Sequence, residues 1–348
     1  MRHGLFLNED RFKQTFAQGL QAILQQPDLG CFILACANAY ADPALHRQML
    51  PDIERQLALL QQALMAGALD TGALTATTED KAVFLKIVER GLDTIPTVQY
   101  RQLGHWRCQL NHLRTMRPLR MAGKTEVSLY QDYSTDSFNF NKPFIQKECL
   151  WEGPWQGKQL SWYYNKFPFA RYHGLLVPER DRQQPQYLTR SAHELIWQLL
   201  EGCAEHFHGL GVGYNSLGAF ASVNHLHFQW FLEAEGLAVM SPQWRHNGGS
   251  VAYPLACYRY ADPQQAWQAI SAWHQQAIPY NLIYTANSLY AMPRRIQSQI
   301  THQDWTSGFS WSEAGGEIVV QNAASFAELS AGDIEEEMGK LNRLVGEA

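Results

Sequence analysis

Through most of the first 95 residues, apolar side chains recur every three or four positions, a period that predicts α-helices. Phe12 and Phe16 belong to the apolar stripe of a first helix. A second helix has Pro51 near its start, and a third is predicted over residues 78–90. Because such stripes are typical of helix-packing faces, we assign no chemistry to region 1–96. We expect this region to cap the rest of the protein or to form a dimer contact.

From residue 97 onward the helical period gives way to short strands separated by turns. Residues 173–178 predict a buried strand that is closed by a proline. Residues 280–295 predict a hairpin that turns around Asn287 and Ser288. Strands of this kind, joined by short turns, are typical of an antiparallel sheet.

One clear helix interrupts these strands at residues 188–209, where apolar side chains fall on a single face. Ser191 and Glu194 have the spacing of a capping box at its start. A last, charged helix is predicted over 330–345. We therefore predict the α+β class with three regions: a helical N-terminal region (1–96), a mixed domain (97–330) and a C-terminal helix (331–348).

The most informative stretch is the alternation of polar and apolar residues from Val223 to Glu233. Successive side chains of a strand point to opposite faces, so this stretch predicts a strand with one packed face. Its other face carries three polar side chains two residues apart: His225, His227 and Gln229. Just upstream, glycines stand among three small hydrogen-bonding residues: Asn215, Ser216 and Ser222. Such a loop lets the backbone approach an anion closely, which favours phosphoryl or nucleotidyl transfer with a histidine nucleophile.

The residues alone leave other interpretations open. A His-x-His pair on a strand also binds metal in many proteins, or it faces solvent without further function. Lys142 and Lys166 each stand among aromatic residues and asparagines, where a lysine either lies along the surface or neutralises a phosphate. Arg294, at the end of the predicted hairpin, either meets a phosphate or lines the edge of the sheet.

Composition limits the partners and the compartment. The 348 residues are 46% apolar and 18% charged, which is typical of a globular protein. A net charge of −5 gives no general attraction to nucleic acid or to anionic membranes, so a phosphate site must be a local cluster. The six cysteines are scattered, no signal-peptide core is visible, and no apolar run approaches the roughly 18 residues of a membrane helix. We expect a cytoplasmic protein without nucleic-acid or membrane partners.

Two motifs together resemble the histidine-triad superfamily: Tyr214–Ala221 and His225-Leu-His-Phe-Gln229. The similarity is to the branch of galactose-1-phosphate uridylyltransferase and diadenosine tetraphosphate phosphorylase, which has His-x-His-x-Gln in place of three histidines. Within it, the chain most resembles the GDP-hexose phosphorylases that act on GDP-L-galactose or GDP-D-glucose. The similarity covers roughly residues 105–320, with support from three short motifs: Gln109-Leu-Asn111, Arg117-Pro118 and Phe138–Lys142. Leu226 stands where the uridylyltransferases have proline, which favours the phosphorylases.

The resemblance implies a histidine-triad-like antiparallel sheet with packed helices in the catalytic domain 97–330. It also implies that His227 attacks the α-phosphorus of a nucleoside diphosphate sugar and that inorganic phosphate then releases the nucleoside diphosphate. His225 would orient the site and Gln229 would hydrogen-bond the phosphate oxygens. The remaining binding residues would be Asn215, Ser216, Ser222, Lys142, Lys166 and Arg294.

The structural metal ligands of the uridylyltransferases cannot be matched in this chain, so we expect neither a metal nor a cofactor. Several alternatives remain within the resemblance. A dinucleoside polyphosphate phosphorylase would have a different substrate. A hexose-1-phosphate nucleotidylyltransferase would use a sugar phosphate as the acceptor, and a hydrolase would use water. A nucleotide sensor without activity on the same fold is the alternative from a different functional class.

Overall fold

The computed structural model describes residues 3–117 and 128–343 of the chain. Two predicted features fall outside these ranges, namely Pro118 of one supporting motif and Val345 at the end of the last predicted helix. The described helices are α1 Glu9–Leu24, α2 Leu29–Tyr40, α3 Pro43–Met65, α4 Thr78–Arg90, α5 His112–Thr115, α6 Arg190–Cys203, α7 Pro263–Gln275, α8 Trp311–Ala314, α9 Ala323–Glu328 and α10 Ala331–Gly339. The described strands are β1 Gln99–Leu103, β2 Trp106–Leu110, β3 Cys149–Trp155, β4 Lys158–Tyr164, β5 Gly174–Pro178, β6 Leu210–Asn215, β7 Phe228–Leu232, β8 Tyr258–Tyr260, β9 Tyr280–Thr285, β10 Ser288–Pro293 and β11 Glu317–Val319.

An eight-stranded sheet forms the centre of the molecule, with the strand order β3-β4-β5-β7-β6-β9-β10-β8. All neighbouring strands in it run antiparallel. A smaller sheet has the order β1-β2-β11, in which β11 runs parallel to β2. The α+β class is therefore confirmed, as are the buried strand β5 and the hairpin formed by β9 and β10.

The N-terminal helices cover one face of the large sheet. On α1, the ring of Phe12 lies 5.6 Å from that of Trp162 and 5.4 Å from that of Trp230, measured between centroids. Phe16 lies 5.8 Å from the same Trp162 ring. Apolar residues of the helices and of the sheet form one continuous hydrophobic cluster. The helical region thus caps the sheet, while the division at residue 96 and a dimer contact stay predictions.

Side chains alternate across β7 as the sequence predicts. Phe228 and Trp230 belong to the hydrophobic cluster that includes the N-terminal helices. Phe231 points to the opposite face, where its ring stacks on Trp311 with centroids 4.6 Å apart. Gln229 shares the side of Phe231, because every second residue of a strand points the same way. The polar row therefore lies on the face away from α1.

The predicted strand at residues 223–233 is wrong in its first half, because β7 begins only at Phe228. At the start of β7, the first residue paired with β5 is Phe228, opposite Leu176, and the first residue paired with β6 is Gln229, opposite Gly213. Before that point, loop residues supply the hydrogen bonds, since Leu226 N–H donates to the carbonyl of Gln184 at 2.9 Å. His225 and His227 consequently lie in the loop that leads into the strand.

The predicted helix 188–209 is also too long, because α6 covers only 14 residues. Its N-cap is Thr189, whose hydroxyl oxygen accepts from Ala192 N–H at 3.2 Å. The predicted Ser191–Glu194 capping box is therefore wrong. The last helix, α10, likewise ends at Gly339 in place of the predicted 345. In the part of the chain that the structure describes, no helix has the length and apolarity needed to cross a bilayer.

Candidate active site

Hydrogen bonds fix the proton of His227 on one ring nitrogen. Its Nδ1 lies 2.8 Å from the carbonyl oxygen of His225. A carbonyl oxygen only accepts, so Nδ1 carries the hydrogen and Nε2 carries the lone pair. Burial lowers the pKa of His227 to about 4, from the ordinary 6.5 of histidine. The ring is therefore neutral at pH 7, and the electron pair that could attack phosphorus is on Nε2.

His225 uses both of its ring nitrogens to hold loops. Its Nδ1 accepts from Phe140 N–H at 3.1 Å, so its Nε2–H donates to the carbonyl of Arg180 at 3.1 Å. Burial lowers the pKa of His225 to about 4. This neutral ring connects the Phe138–Lys142 motif to the site and leaves neither nitrogen for attack. An orienting role for His225 fits these contacts and stays a prediction.

The amide of Gln229 has one fixed orientation, and His173 sets it. His173, which is fully buried just before β5, accepts from Phe169 N–H through Nδ1 at 3.2 Å. Its Nε2 must then carry the hydrogen, which it donates to Gln229 Oε1 at 3.0 Å. With its oxygen occupied in this way, Gln229 directs its NH₂ group away from His173. A donor in this position suits the oxygens of a phosphoryl group.

Asn215 and Ser216 mark the end of β6 beside the histidines. Asn215 Oδ1 accepts from Asn281 Nδ2 at 2.7 Å and from Trp311 N–H at 2.8 Å. The hydroxyl of Ser216 accepts from Tyr280 N–H at 2.9 Å and donates to the carbonyl of Leu217 at 3.1 Å. Both side chains are buried, and in these contacts they shape the loop. Direct phosphate binding by either residue stays a prediction.

The loop after Ser216 has a strained backbone. Phe220 has a φ angle of 77°, in a region that a residue with a large side chain rarely adopts, whereas Gly218 has a φ angle of 78°, which glycine adopts without strain. The carbonyl of Gly218 accepts from Gln297 N–H at 2.7 Å, which holds the turn in place. Strain of this kind concentrates at functional sites, where the surrounding structure enforces it. Ser222, at the end of the loop, is exposed.

The three predicted cations occupy different positions. Lys142 is the last residue of the Phe138–Lys142 motif, and its ammonium donates to the carbonyl of Thr135 at 2.6 Å. Lys166 forms an ion pair of 2.5 Å with Asp80 of α4, which ties the sheet to the helical region. Arg294 is fully buried, and its guanidinium donates to Asn281 Oδ1 at 3.2 Å and to the carbonyl of Phe309. Binding of phosphate by these three side chains stays a prediction.

Arg294 supports the site through a chain of contacts. It holds Asn281, whose amide in turn binds Asn215 Oδ1. Burial lowers the pKa of Arg294 to about 9, so the guanidinium is still charged at pH 7. The predicted role of this residue was direct contact with phosphate, and the contacts in the structure indicate a supporting position behind the loop.

Three residues near the site escape prediction from sequence: His173, Gln186 and Asn281. His173 begins the predicted strand β5, and only the pairing of that strand with β7 brings it to Gln229. Gln186 lies in a loop, where its side chain binds the backbone of His227. The sequence does show that these histidine and amide side chains lie in or beside predicted strands. It does not show which strands pair, so it cannot show that these side chains lie near the site.

Within residues 3–117 and 128–343, no three or more His, Cys, Asp or Glu side chains are grouped so that they could hold one ion. His225 and His227 are held by backbone groups on the nitrogens described above. The expectation that the protein needs no metal stays a prediction.

The lowered pKa of His227 predicts an unusual pH profile. A base whose pKa is about 4 stays deprotonated down to that pH, so the rate of protein nucleotidylation should stay level from pH 8 to about pH 5. Below that range the rate should fall with an apparent pKa of about 4 that belongs to His225 and His227 together. Rapid-quench measurement without phosphate tests this, with circular dichroism at each pH as the control for unfolding. A titration at the ordinary 6.5 would contradict it.

The central antiparallel sheet, with His-x-His-x-Gln entering its middle strand, places the protein in the histidine-triad class of folds. The structure is similar to the crystal structure of yeast Ap4A phosphorylase Apa2, with a TM-score of 0.50 and 14% sequence identity. The similarity covers 75% of this chain and 93% of the yeast chain. At this identity the comparison concerns the fold, and it confirms the class expected from the sequence.

Residues 103–231 match the family model described as GDPGP1-like, N-terminal domain. GDP-D-glucose phosphorylase 1 from Danio rerio is 39% identical over 106 residues, which is 30% of this chain and 30% of the relative. The Homo sapiens protein of the same name is 34% identical over 128 residues, 34% of this chain and 32% of the relative. The chain thus spans about a third of the length of the curated relatives it matches. These matches confirm the resemblance to GDP-hexose phosphorylases.

Proposed function

We propose that the protein is a nucleotidyltransferase of the GDP-hexose phosphorylase type. It would cleave a nucleoside diphosphate sugar with inorganic phosphate and yield a nucleoside diphosphate and a hexose 1-phosphate. The observation that carries this proposal is the hydrogen bond from His227 Nδ1 to the His225 carbonyl, which leaves the lone pair on Nε2. The match of residues 103–231 to the GDPGP1-like model and the similarity to GDP-D-glucose phosphorylase 1 support GDP-hexose as the substrate class.

In the first step, Nε2 of His227 attacks the α-phosphorus of the substrate. A nitrogen–phosphorus bond forms, and the bond between the α-phosphorus and the bridging oxygen breaks. The bridging oxygen keeps the electron pair and leaves as part of hexose 1-phosphate. The nucleoside monophosphate stays attached to the imidazole. A neutral ring is needed for this attack, and the lowered pKa of His227 keeps it neutral at pH 7.

In the second step, an oxygen of inorganic phosphate attacks the same phosphorus. The nitrogen–phosphorus bond breaks, its electron pair returns to Nε2, and the nucleoside diphosphate is released. The NH₂ group of Gln229, held by His173, would donate to the oxygens around phosphorus in both steps. The loop from Asn215 to Ser222 and Lys142 would enclose the same group, and Arg294 would support that loop through Asn281. Contact of Lys166 with phosphate is also part of the proposal, although its ammonium pairs with Asp80 in the structure.

The direct test is a product assay with GDP-glucose in the presence and absence of phosphate. We expect GDP and glucose 1-phosphate to accumulate only when phosphate is present. Without phosphate, one equivalent of glucose 1-phosphate should be released and the protein should gain the mass of a guanosine monophosphate group. Release of free GMP without phosphate would instead identify a hydrolase, and turnover without any covalent adduct would contradict the mechanism.

The same assay separates the remaining candidates. A dinucleoside polyphosphate phosphorylase would prefer Ap4A over GDP-glucose, which the fold of the yeast enzyme makes worth testing. A nucleotidylyltransferase would use hexose 1-phosphate as acceptor in place of inorganic phosphate. A nucleotide sensor would bind GDP-glucose without turnover. A cytoplasmic location and a homodimeric state are further proposals, which fractionation and light scattering would test.

A further inference from the structure

We infer that Gln186 is a positioning residue that holds the backbone of His227 so that its ring keeps one tautomer and one direction. The inference rests on the proposed function, because it concerns the histidine that we propose as the nucleophile. Gln186 lies in the loop before α6 and is only 1% exposed. Its side chain reaches the point where β6 and the approach to β7 stop pairing with each other.

A single side-chain amide binds both backbone groups of His227. Gln186 Oε1 accepts from His227 N–H at 2.8 Å, and Nε2 donates to the His227 carbonyl at 3.1 Å. The second hydrogen of Nε2 reaches the carbonyl of Asn215 at 2.9 Å. These are contacts that a neighbouring strand makes in a regular sheet. Gln186 therefore replaces the ladder between β6 and β7 beyond the last pair of Gly213 and Gln229.

The orientation of this amide is fixed. Turning it over would place its NH₂ against the His227 N–H and its oxygen against two carbonyl oxygens, which is repulsive on both sides. The loop itself is also anchored, because Gln186 N–H donates to Asn224 Oδ1 at 2.9 Å and its carbonyl accepts from the Tyr214 hydroxyl at 3.3 Å. Asn224 and Tyr214 thus fix the Gln186 backbone, and Gln186 fixes His227.

The backbone of His227 decides the state of its ring. The hydrogen bond from Nδ1 goes to the carbonyl of the residue two positions earlier, so it requires a defined backbone shape between His225 and His227. Without the Gln186 side chain, the backbone of His227 would lose both of its hydrogen bonds to that amide, and the link to the Asn215 carbonyl would also be lost. Its Nδ1 would then leave the His225 carbonyl, and the proton would distribute between both ring nitrogens. A displacement of about 1 Å at a reacting atom costs on the order of 10²-fold in rate.

The test compares three variants in single-turnover nucleotidylation. Gln186→Met keeps the length of the side chain and removes its hydrogen bonds, while Gln186→Glu keeps the shape and removes the NH₂ donors. Gln184→Met is the matched control, since Gln184 contributes through its backbone carbonyl to Leu226. We expect a loss of about 10²-fold for Gln186→Met and at least about 10-fold for Gln186→Glu, with KM changed less than about 3-fold. The control should stay within about 2-fold of the unsubstituted protein.

A bypass reaction separates positioning of His227 from damage to the rest of the site. In the His227→Gly protein, guanosine 5′-phosphorimidazolide supplies the activated phosphorus and inorganic phosphate completes the reaction. Adding Gln186→Met to this protein should change the bypass rate less than about 3-fold, because the ring that Gln186 positions is gone. An equal loss in both backgrounds would overturn the inference, as would full activity of Gln186→Met with His227 present.

Nitrogen NMR of the imidazole gives a readout that does not depend on activity. The unsubstituted protein should show a protonated Nδ1 and an unprotonated Nε2 for His227, and both Gln186 variants should show a mixture. Unchanged nitrogen shifts in a folded variant would overturn the inference. If the unsubstituted protein shows no phosphorolysis, the proposed function fails, and the tautomer measurement still tests Gln186.

Discussion

Phosphorolysis of GDP-hexose should fall by at least about 10⁴-fold when His227 is replaced by alanine. The substitution removes the atom that forms the bond to phosphorus, and neither nitrogen of His225 is available to take over, because both bind backbone groups. The measurement is the rate of GDP formation at saturating phosphate, together with the mass of the protein after incubation without phosphate. The adduct should be absent from the His227→Ala protein.

His206→Ala provides the control for this substitution, because His206 is exposed in the turn between α6 and β6, whereas Asn215 lies at the other end of β6. It should retain full activity. Activity of the His227→Ala protein within about 10-fold of the unsubstituted protein would contradict the covalent mechanism. A nucleotide sensor would show the same lack of turnover in both proteins, so the control also separates the two functional classes.

Replacing Arg294 with methionine should lower the free energy of unfolding by about 3 kcal/mol. The guanidinium is buried among protein acceptors, and its removal leaves four of them without this donor: Asn281 Oδ1, Gln297 Oε1 and the carbonyls of Phe309 and Arg295. The loss of the buried charge itself offsets part of this cost. Urea denaturation followed by tryptophan fluorescence measures the effect.

The neighbouring Arg295→Met is the matched control and should change the unfolding free energy by less than about 1 kcal/mol, since Arg295 is only partly buried. The pair also distinguishes two roles of Arg294. If Arg294 only supports the structure, the Arg294→Met protein is less stable, and its activity falls only as far as its folded fraction does. If Arg294→Met were as stable as the control but did not bind phosphate, Arg294 would be a direct ligand of the substrate as the sequence predicts.

The sequence alone predicts which side chains of β7 face the core, because the alternation of polar and apolar residues is a local pattern. Phe228 and Trp230 lie on the packed face, with Gln229 on the other, as the period of two requires. The start of the strand was not predictable, because it depends on where the neighbouring strands stop pairing. His227 lies outside the ladder, since the side chain of Gln186, in a loop, binds its backbone in place of a strand.

Prediction of the N-terminal helices succeeded at α4, whose bounds are those expected from the sequence. The apolar run at residues 31–40 gave no helical stripe, because α2 is buried on all sides and has no polar face to reveal the period. At α6 the residue types at Ser191 and Glu194 suited a cap, but Thr189 is the N-cap in the structure. The residue types therefore predict the helix α6 but not the residue at which it begins.

The candidate site was only partly predictable, and the reason is tertiary. His227 and Gln229 stand in a motif that sequence reasoning can recognise. The side chains that fix their orientation come from elsewhere in the chain: His173 lies 56 residues before Gln229, and Gln186 lies 41 residues before His227. Neither belongs to a motif, and their contacts follow from the strand order of the sheet.

The pairing of strands also determines how the protein can be divided. The segment that matches the GDPGP1-like model ends at residue 231, but β6 within it pairs with β9, which lies beyond that end. Another of its strands, β2, pairs with β11 near residue 318. Excised alone, the segment would expose both strand edges to solvent and uncover the tryptophans that α1 shields. Anyone expressing this protein in pieces should therefore expect aggregated material from the homologous portion and keep the chain whole from α1 to β11.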